Sequence, residues 1–426
     1  MANSRKTAVS ILIKVINNGS YSNIAVNNEL IKSDLKSADK AFTTALVYGV
    51  LDRKITLDYI ISKYIKTDIS KIKPITLNAL RIALYQIIFM DKIPESAAVN
   101  ESVNIVKTSK ERYNSAFVNG VLRSYLRSGE TIPAGNDKKS LGIRYSCKEW
   151  IVESFISDYG ADTAEELLRQ SLEIPPVCLR VNTLKTTPER LVDLLESEGI
   201  KAEKSDVQGS VKVLSPIDVA GTTAYKSGLF HVEDEASQKM LLKVGFCENN
   251  RVLDLCSAPG GKAFTAAEHM NNNGEIIAMD LYKHRVELIS GGAKRLGISN
   301  IKAIVADATA KNTELGKFDV VLCDVPCSGL GVIRRKPEIK YRDITQAEYK
   351  VLLETQKRIL ENADFYLKPG GTLVYSTCTL KKAENEAQIS DFLDKYGNYD
   401  VQYNVNYMPH IDGTDGFFTA ILNKKR

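Results

Sequence analysis

The 426-residue sequence predicts a multidomain protein with an all-α N-terminal bundle, a small α/β middle domain and a C-terminal α/β domain. Apolar residues recur with a helical period through residues 1–130. A polar segment rich in glycine and proline, SGETIPAGNDKKS, then interrupts the pattern at 128–140 and reads as a linker. Beyond residue 250, strand-like runs alternate with helical ones, which is typical of a mostly parallel sheet.

The helices of domain 1–130 follow from this periodicity. The first lies in RKTAVSILIKVIN, which places its apolar side chains on one helical stripe and is followed by the stop signal Asn18-Gly19. A later segment, ITLNALRIALYQIIFM, must end before Pro94, because proline lacks the amide that a continuing helix needs. We expect a bundle of about five or more helices.

Positive charge is concentrated in the same domain. Residues 1–130 contain 19 Lys and Arg against 11 Asp and Glu, a net charge of +8, whereas the whole chain carries only +5. An excess of this size favours an anionic partner, most plausibly a nucleic acid. The alternative is that these lysines cover solvated helix faces, as most charged runs do.

The middle domain, 140–235, mixes both kinds of element. Helices are predicted in DTAEELLRQS and PERLVDLLESEG, the second beginning at Thr187-Pro188, and strands in VCLRVNT and VKVLS. No group in this domain is assigned a catalytic role.

In domain 236–426, polar residues follow the predicted strands. The strands are RVLDLC, EIIAMD, IKAIVAD, FDVVLCD, GGTLVYST and GFFTAIL. Parallel sheets bind ligands at the carboxyl ends of their strands, so these polar residues should meet at one edge. A single acid there is often a helix cap, but several acids together with two cysteines predict a site. The residues concerned are Asp254, Asp280, Asp307, Asp324, Cys327 and Cys378.

The turn after the first of these strands, LDLCSAPGGKAFTAA, indicates the ligand. A phosphate-binding P-loop would need glycine at Cys256 and Ser or Thr at Ala263, and no G-x-G-x-x-G is present. Gly260 and Gly261 still let a ligand approach the backbone, and Asp280 could accept hydrogen bonds from a ribose. S-adenosylmethionine meets both conditions; a turn built for tight packing alone is the alternative.

Two of the cysteines fit covalent chemistry on cytosine. A thiolate added to C6 makes C5 nucleophilic toward a methyl donor, and a second thiol could assist the later release of the sulfur. Cys327 and Cys378 lie in turns of small polar residues, and Asp324 could stabilise charge that develops on the base. Cys256 and Cys323, within predicted strands, read as small buried apolar residues.

The motifs LDLCSAPGGK, AMD, VADAT, DVPCSGLG and YSTCTLKKAENE, in this order, resemble those of the RNA 5-methylcytosine methyltransferases of the Sun/Nop family. The basic N-terminal helices resemble the NusB-like RNA-binding domain of the bacterial 16S rRNA branch of that family. The resemblance spans nearly the whole chain. It implies a Rossmann-like class I methyltransferase domain, S-adenosylmethionine as cofactor and 16S rRNA as substrate.

The resemblance also implies roles for individual residues. Cys378 would attack C6, Cys327 would promote product release, and Asp324 would lie between cofactor and base. Asp280 would hold the cofactor's ribose, with Arg285 in the same binding set, and Asp307 would lie near the adenine. The loop around the cofactor would be formed by Cys256, Ser257, Ala258, Pro259, Gly260, Gly261 and Lys262. Ser257 and Thr379 are mild departures from the family pattern, and neither removes a needed group.

Two further segments are predicted to line the binding sites for cofactor and RNA. FHVEDEASQ, at 230–238, resembles the family's segment before the first strand and should line the cofactor side. The loop GVIRRKPEIKYR, at 331–342, closely follows Cys327, and we expect its basic residues to face the RNA backbone. An ordinary solvated loop is the alternative. The residues concerned are Arg334, Arg335, Lys336, Lys340 and Arg342.

Composition narrows the class of protein. The N-terminus has charge within its apolar stretch and no cleavage site, and no run has the length of a membrane span. Seven scattered cysteines favour reduced thiols and a cytoplasmic location, and their spacing, with only His284 near Cys323 and Cys327, favours no metal. We expect a monomer. A noncatalytic RNA-binding or ribosome-assembly factor with a vestigial methyltransferase fold stays open, as does DNA cytosine methylation.

Overall fold

The structure, a computed structural model, describes residues 3–129, 131–215 and 217–426. It contains two compact units. One consists of Met1–Ile174 with Ile333–Asp343, and the other of Pro175–Val332 with Ile344–Arg426. The predicted domain boundaries at 1–130, 140–235 and 236–426 stay a prediction.

Among the described residues of the first unit, the regular elements are helices, as predicted for its N-terminal part. The first helix begins at a cap in which the Asn3 side chain accepts hydrogen bonds from the amides of Arg5 and Lys6. Its helices are α1 (Ser4–Ile16), α2 (Ser22–Ile31), α3 (Ser37–Asp52), α4 (Lys54–Ser62), α5 (Pro74–Phe89), α6 (Glu95–Lys107), α7 (Ser115–Ser128), α8 (Lys138–Arg144), α9 (Glu149–Tyr159) and α10 (Ala161–Gln170).

The core of this unit forms around α1 and α5. The stripe predicted for α1 is buried, including Ile11 and Leu12 with no exposed surface. Helix α5 is apolar on nearly all sides and contributes buried residues along its length, which fits a central helix. It ends at Phe89, ahead of Pro94, as expected.

A segment from late in the sequence, Ile333–Asp343, completes this unit. Its 3-10 turn at Pro337–Tyr341 carries Lys340, which is fully buried. The Lys340 ammonium lies 3.3 Å from the Asp52 carboxylate at the end of α3 and donates to the Ser171 carbonyl at 2.9 Å. Glu338 accepts hydrogen bonds from the Ser22 amide, at 3.3 Å, and the Ser22 hydroxyl, at 2.9 Å, at the start of α2.

The expectation that Lys340 faces RNA is therefore wrong. Its charge is used inside the unit to neutralise Asp52, and Arg334 is buried as well. Lys336 and Arg342 are exposed. A basic run expected to be solvated or to face RNA thus contains at least one structural cation, because the fully buried Lys340 ammonium requires a partner charge, which Asp52 provides.

The second unit begins with a small antiparallel sheet in the order β2-β3-β1-β4. Its elements are β1 (Val177–Val181), α11 (Pro188–Ser197), β2 (Ala202–Lys204), β3 (Ser210–Val213), α12 (Thr223–Lys226) and β4 (Phe230–Val232). Thr187 caps α11 by accepting from the Arg190 amide, and Pro188 occupies the first turn, as predicted.

A seven-stranded sheet follows, in the order β10-β11-β9-β8-β5-β6-β7. The strands from β9 to β7 in this order are parallel, and β11 is antiparallel to both neighbours, so the sheet is mostly parallel, as predicted. All six predicted strands are present, and β10 is an additional one. The strands are β5 (Arg251–Asp254), β6 (Glu275–Asp280), β7 (Ile301–Val305), β8 (Phe318–Asp324), β9 (Leu367–Thr377), β10 (Tyr399–Tyr407) and β11 (Phe417–Lys424).

Helices connect these strands and cover the sheet. They are α13 (Glu235–Leu241), α14 (Gly261–His269), α15 (Lys283–Leu296), α16 (Gln346–Tyr366), α17 (Glu386–Tyr396) and α18 (Pro409–Asp412). Two buried apolar clusters of sheet and helix side chains form the cores of this fold. Within the described ranges, no helix has both the length and the apolar character needed to cross a membrane.

The register of the central strands brings their carboxyl ends together. Asp254 of β5 pairs with Leu322 of β8, two residues before Asp324, and Asp324 pairs with Ser376 near the end of β9. The polar residues that follow β5, β8 and β9 therefore leave the sheet at the same edge, where a site was expected.

Replacement of Lys340 by Met should destabilise the first unit by about 1 to 3 kcal/mol, because Asp52, whose side chain is 25% exposed, and the Ser171 carbonyl both lose their buried donor. Denaturant unfolding of the full-length protein measures this loss. Lys336→Met, at an exposed position in the same segment, is the matched control and should change stability by less than about 0.5 kcal/mol. Equal unfolding curves for the two variants would contradict the structural role of Lys340.

Candidate active site

A cavity of about 210 Å³ opens at the carboxyl edge of the large sheet. Its walls come from the segments after β4, β5, β8 and β9 and from the start of β11. The lining residues are Val232, Glu233, Asp234, Ser237, Asp254, Cys256, Ser257, Ala258, Pro259, Gly261, Lys262, Asp324, Val332, Cys378, Asp415 and Phe417.

Nearly all of the predicted cofactor loop lines this cavity. The exception is Gly260, which forms the bend from which α14 begins and has a φ of +111°. A Cβ there would lie 2.4 Å from the Phe264 ring, so the position requires glycine for conformation and for space. The Ser257 amide donates to the Met279 carbonyl at 2.8 Å, which ties the loop to β6.

Lys262 and Asp324 form an ion pair across the cavity. The ammonium lies 2.8 Å from one Asp324 oxygen, and the Ser376 hydroxyl donates to the other at 2.8 Å. Burial opposes the charge on Lys262, but the carboxylates of Asp324 and Glu233 outweigh it and raise the lysine pKa. Asp324 is thereby held at a fixed orientation beside the cavity.

Asp254 lies fully buried behind this pair. Within the described part of the chain, neither of its carboxylate oxygens has a hydrogen-bond partner. Burial raises its pKa to about 7, because it outweighs the opposing effects of the Ser257 side chain and the Lys262 charge, and the charge of Asp324 acts in the same direction as burial. An acid at the cavity wall with unused acceptor capacity suits a ligand that brings positive charge or hydrogen-bond donors.

Asp280 ends β6, Arg285 lies in the first turn of α15, and Asp307 follows β7; none of the three lines this cavity. The buried Asp280 carboxylate is 3.4 Å from an Arg285 nitrogen, and Arg285 donates to the Ala258 carbonyl at 2.9 Å. Arg285 thus connects the end of β6 to the cofactor loop. Asp307 is exposed and accepts hydrogen bonds from the amide and hydroxyl of Thr309, at 2.8 and 2.7 Å.

The sulfurs of Cys327 and Cys378 lie 3.3 Å apart. Both residues are half-buried, and Cys378 lines the cavity. The contact with Cys378, together with burial, raises the pKa of Cys327. Cys323 is buried within β8, as expected, whereas Cys256 lies beyond the end of β5 and lines the cavity, so the expectation that it sits within a strand is wrong.

A close backbone approach joins the segment after Cys327 to the segment after Cys378. The Gly331 amide donates to the Cys378 carbonyl at 3.0 Å, and the Gly416 amide donates to the Gly331 carbonyl at 2.9 Å. A Cβ on Gly331 would lie 1.9 Å from the Gly416 carbonyl oxygen. Glycine at 331 therefore allows the three segments to meet.

Sequence reasoning did not single out Glu233. Its buried side chain lines the cavity, as expected for the segment FHVEDEASQ, and accepts hydrogen bonds from Ser237 at 2.8 Å and Thr265 at 2.7 Å. Burial favours its neutral form, but contact with His231 and the charge of Lys262 outweigh burial and lower its pKa to about 2. Glu233 is one of three consecutive acidic residues after β4, and nothing in the sequence distinguishes it from Asp234 and Glu235.

Comparison with known proteins identifies the family. The chain is 37% identical to the probable ribosomal RNA small subunit methyltransferase B of Bacillus subtilis (strain 168), over 99% of this chain and 98% of that protein. The chain belongs to this methyltransferase family. It is also 33% identical, over the full length of both chains, to the protein of the same description from Synechocystis sp. (strain ATCC 27184 / PCC 6803 / Kazusa).

Three protein families match successive parts of the chain. The NusB family matches residues 2–127, the RsmF/B-like ferredoxin-like domain matches 148–220, and 16S rRNA methyltransferase RsmB/F matches 241–423. The crystal structure of PH0851 is similar over 100% of this chain and 99% of that chain, with a TM-score of 0.86 and 26% identity. The predicted fold class, a NusB-like bundle, a small α/β domain and a Rossmann-like methyltransferase domain, is confirmed.

Replacement of Asp254 by Asn should stabilise the ligand-free protein at pH 8. The folded-state pKa of Asp254 is raised from 3.8 to about 7, so wild-type stability declines as pH rises through this range. The gain on replacement should approach about 4 kcal/mol above pH 7 and vanish near pH 4. Thermal unfolding at several pH values measures it. A difference in melting temperature that does not vary with pH would show that Asp254 does not titrate in this way.

Proposed function

We propose that this protein transfers a methyl group from S-adenosylmethionine to C5 of a cytosine in 16S rRNA through a covalent adduct. The observation that carries the proposal is the pair of sulfurs 3.3 Å apart beside the cavity, on Cys327 and Cys378. C5 methylation needs one thiol to add to C6, and a neighbouring group to help release it, and the pair offers both.

The cavity fits a cationic cofactor. Asp254, Glu233 and Asp324 line it and Lys262 compensates only part of their charge, while the turn at Gly260 brings the backbone close. S-adenosylmethionine supplies a methyl group made electrophilic by a positively charged sulfur. We assign the loop from Cys256 to Lys262 to the methionine end, Asp280 with Arg285 to the ribose, and Asp307 to the adenine.

The reaction then assigns one task to each residue of the sulfur pair. The Cys378 thiolate forms a bond to C6, and the electron pair of the C5–C6 double bond moves so that C5 can take the methyl group. C5 afterwards loses its proton, the double bond reforms and the C6–sulfur bond breaks. Cys327 assists this last step, and Asp324, fixed by Lys262 and Ser376, faces the base where charge develops.

RNA would dock on the basic N-terminal helices. Their net charge of +8 over residues 1–130 suits the phosphate backbone. We propose the domain division 1–130, 140–235 and 236–426, a monomeric protein, and a cytoplasmic location where the RNA substrate is present.

The two cysteines should fail differently when replaced. Cys378→Ala should abolish methyl transfer and adduct formation, because no sulfur remains to attack C6. Cys327→Ala should allow addition and methylation but accumulate protein joined to RNA, since release is slowed. Denaturing gels with labelled RNA and S-adenosylmethionine separate the outcomes, with Cys323→Ala as a buried control. A stable adduct in Cys378→Ala would reverse the assignment.

Bisulfite mapping of 16S rRNA from cells with and without this protein tests the function itself. A cytosine that resists conversion only when the protein is present, and that becomes sensitive with the Cys378→Ala variant, is the expected result. An unchanged pattern together with a defect in small-subunit assembly would instead favour a noncatalytic assembly factor.

A further inference from the structure

The two sulfurs belong to turns that leave neighbouring strands. Strands β8 and β9 keep register as far as Asp324 opposite Ser376. The sheet holds the backbone only slightly further, through Val325 after β8 and through Thr377, which pairs with Phe418 of β11, yet the sulfurs of Cys327 and Cys378 come within 3.3 Å. Other contacts must therefore set the geometry of the pair.

Glu384 fixes the turn that carries Cys327. This side chain is fully buried, and one carboxylate oxygen accepts hydrogen bonds from the Ser328 amide at 2.8 Å and from the Gln356 side chain at 3.0 Å. The same Gln356 nitrogen donates to the Pro326 carbonyl at 2.9 Å. The residues on both sides of Cys327 are thus held by one carboxylate and its amide partner.

The next residue, Asn385, fixes the turn that carries Cys378. Its side-chain oxygen accepts from the Thr377 hydroxyl at 2.6 Å, and its side-chain nitrogen donates to the Thr379 carbonyl at 3.0 Å. The two residues adjacent to Cys378 are therefore held by one side chain. A hydrogen bond of 2.7 Å between the hydroxyls of Ser328 and Thr379 connects the two turns directly.

We propose that Glu384 and Asn385 are positioning residues that together hold the Cys327 and Cys378 sulfurs at the separation needed for addition and release. Glu384 and Asn385 are consecutive in sequence, so a displacement of one residue moves the other. Both cysteine turns are therefore anchored to the same short segment of backbone. That backbone is itself tied to the sheet, because the Tyr375 hydroxyl of β9 donates to the Glu384 carbonyl at 2.6 Å.

The charge of Glu384 adds an electrostatic consequence. The titratable groups that face Cys327 are Cys378, Glu384, Asp324 and Tyr375. The contact with Cys378, then burial, then the negative charges of Glu384 and Asp324 all raise the pKa of Cys327. These effects favour the thiol form of Cys327.

A chemical bridge between the sulfurs tests the positioning role without any methyl transfer. Dibromobimane joins two thiols only when they lie close together, so the yield of the Cys327–Cys378 bridge, measured by peptide mass analysis, reports their separation. Glu384→Ala and Asn385→Ala should each lower the bridging rate by about tenfold, since the effective concentration of one thiol at the other depends on this geometry. The full-length protein is used throughout.

Glu386→Ala is the matched control, because Glu386 lies in the same segment but its side chain accepts from Asn406 instead. It should leave the bridging rate unchanged. Bridging in Glu384→Ala and Asn385→Ala as fast as in Glu386→Ala would overturn the proposal. Should the Ala variants fail to fold by circular dichroism, Glu384→Gln and Asn385→Asp, which keep the side-chain shape, are measured in their place.

A second measurement tests the effect of the Glu384 charge separately from its positioning role. In a Cys378→Ala background, the rate of iodoacetamide alkylation at Cys327 is followed against pH, and Glu384→Gln is compared with Glu386→Gln. Loss of the Glu384 charge should move the alkylation midpoint to lower pH, whereas the control should not move it; coincident midpoints would overturn the electrostatic part. The catalytic meaning of the geometry rests on the proposed function, but neither thiol measurement requires that function to be correct.

Discussion

The parallel register of β5, β8 and β9 is the constraint on which the site depends. It makes Asp254, Asp324 and Ser376 leave the sheet at one edge, and the two cysteine turns begin within a few residues of that edge. The sheet fixes where these turns start, and hydrogen bonds from two consecutive side chains, Glu384 and Asn385, hold the residues on either side of each cysteine. The backbone bond from Gly331 to Cys378 and the Ser328–Thr379 bond join the two turns directly. The separation of the Cys327 and Cys378 sulfurs is therefore set by the ends of the strands and by hydrogen bonds from one short segment, not by a long ordered loop.

The acidic side chains at this edge of the sheet favour a positively charged ligand. Lys262 pairs with Asp324, and Glu233 is held anionic, but Asp254 remains buried without a partner among the described residues. A cavity of this kind is less stable without ligand than a neutral one would be, since burial penalises each unpaired charge. The same imbalance favours a positively charged ligand over a neutral one of similar shape.

Sequence patterns predicted the strands and the strand-end residues because both follow from short-range periodicity. Asp324, Cys327 and Cys378 could be placed at one edge from parallel topology alone. Glu384 and Asn385 could not be assigned, because their function lies in contacts with residues 28 to 56 positions away or with local backbone that only the fold defines. Lys340 was misread because a cation in a basic run usually faces solvent. Strand β10 was not predicted even though its sequence, YDVQYNVNY, alternates apolar and polar residues; in the structure most of its side chains are exposed or half-buried.

The late segment Ile333–Asp343 has a consequence for the order in which the chain can fold during synthesis. Lys340, the partner of Asp52, is synthesised 288 residues after Asp52. Glu338, the partner of Ser22, is synthesised 316 residues after Ser22. At the usual rates of translation this interval is roughly 15 to 60 s. The N-terminal helices can form early, but the unit is completed only after the strand that leads to Cys327 has left the ribosome. A chain interrupted before that point would lack the partners that Lys340 and Glu338 provide to Asp52 and Ser22, so its N-terminal helices would be less stable than in the full-length protein.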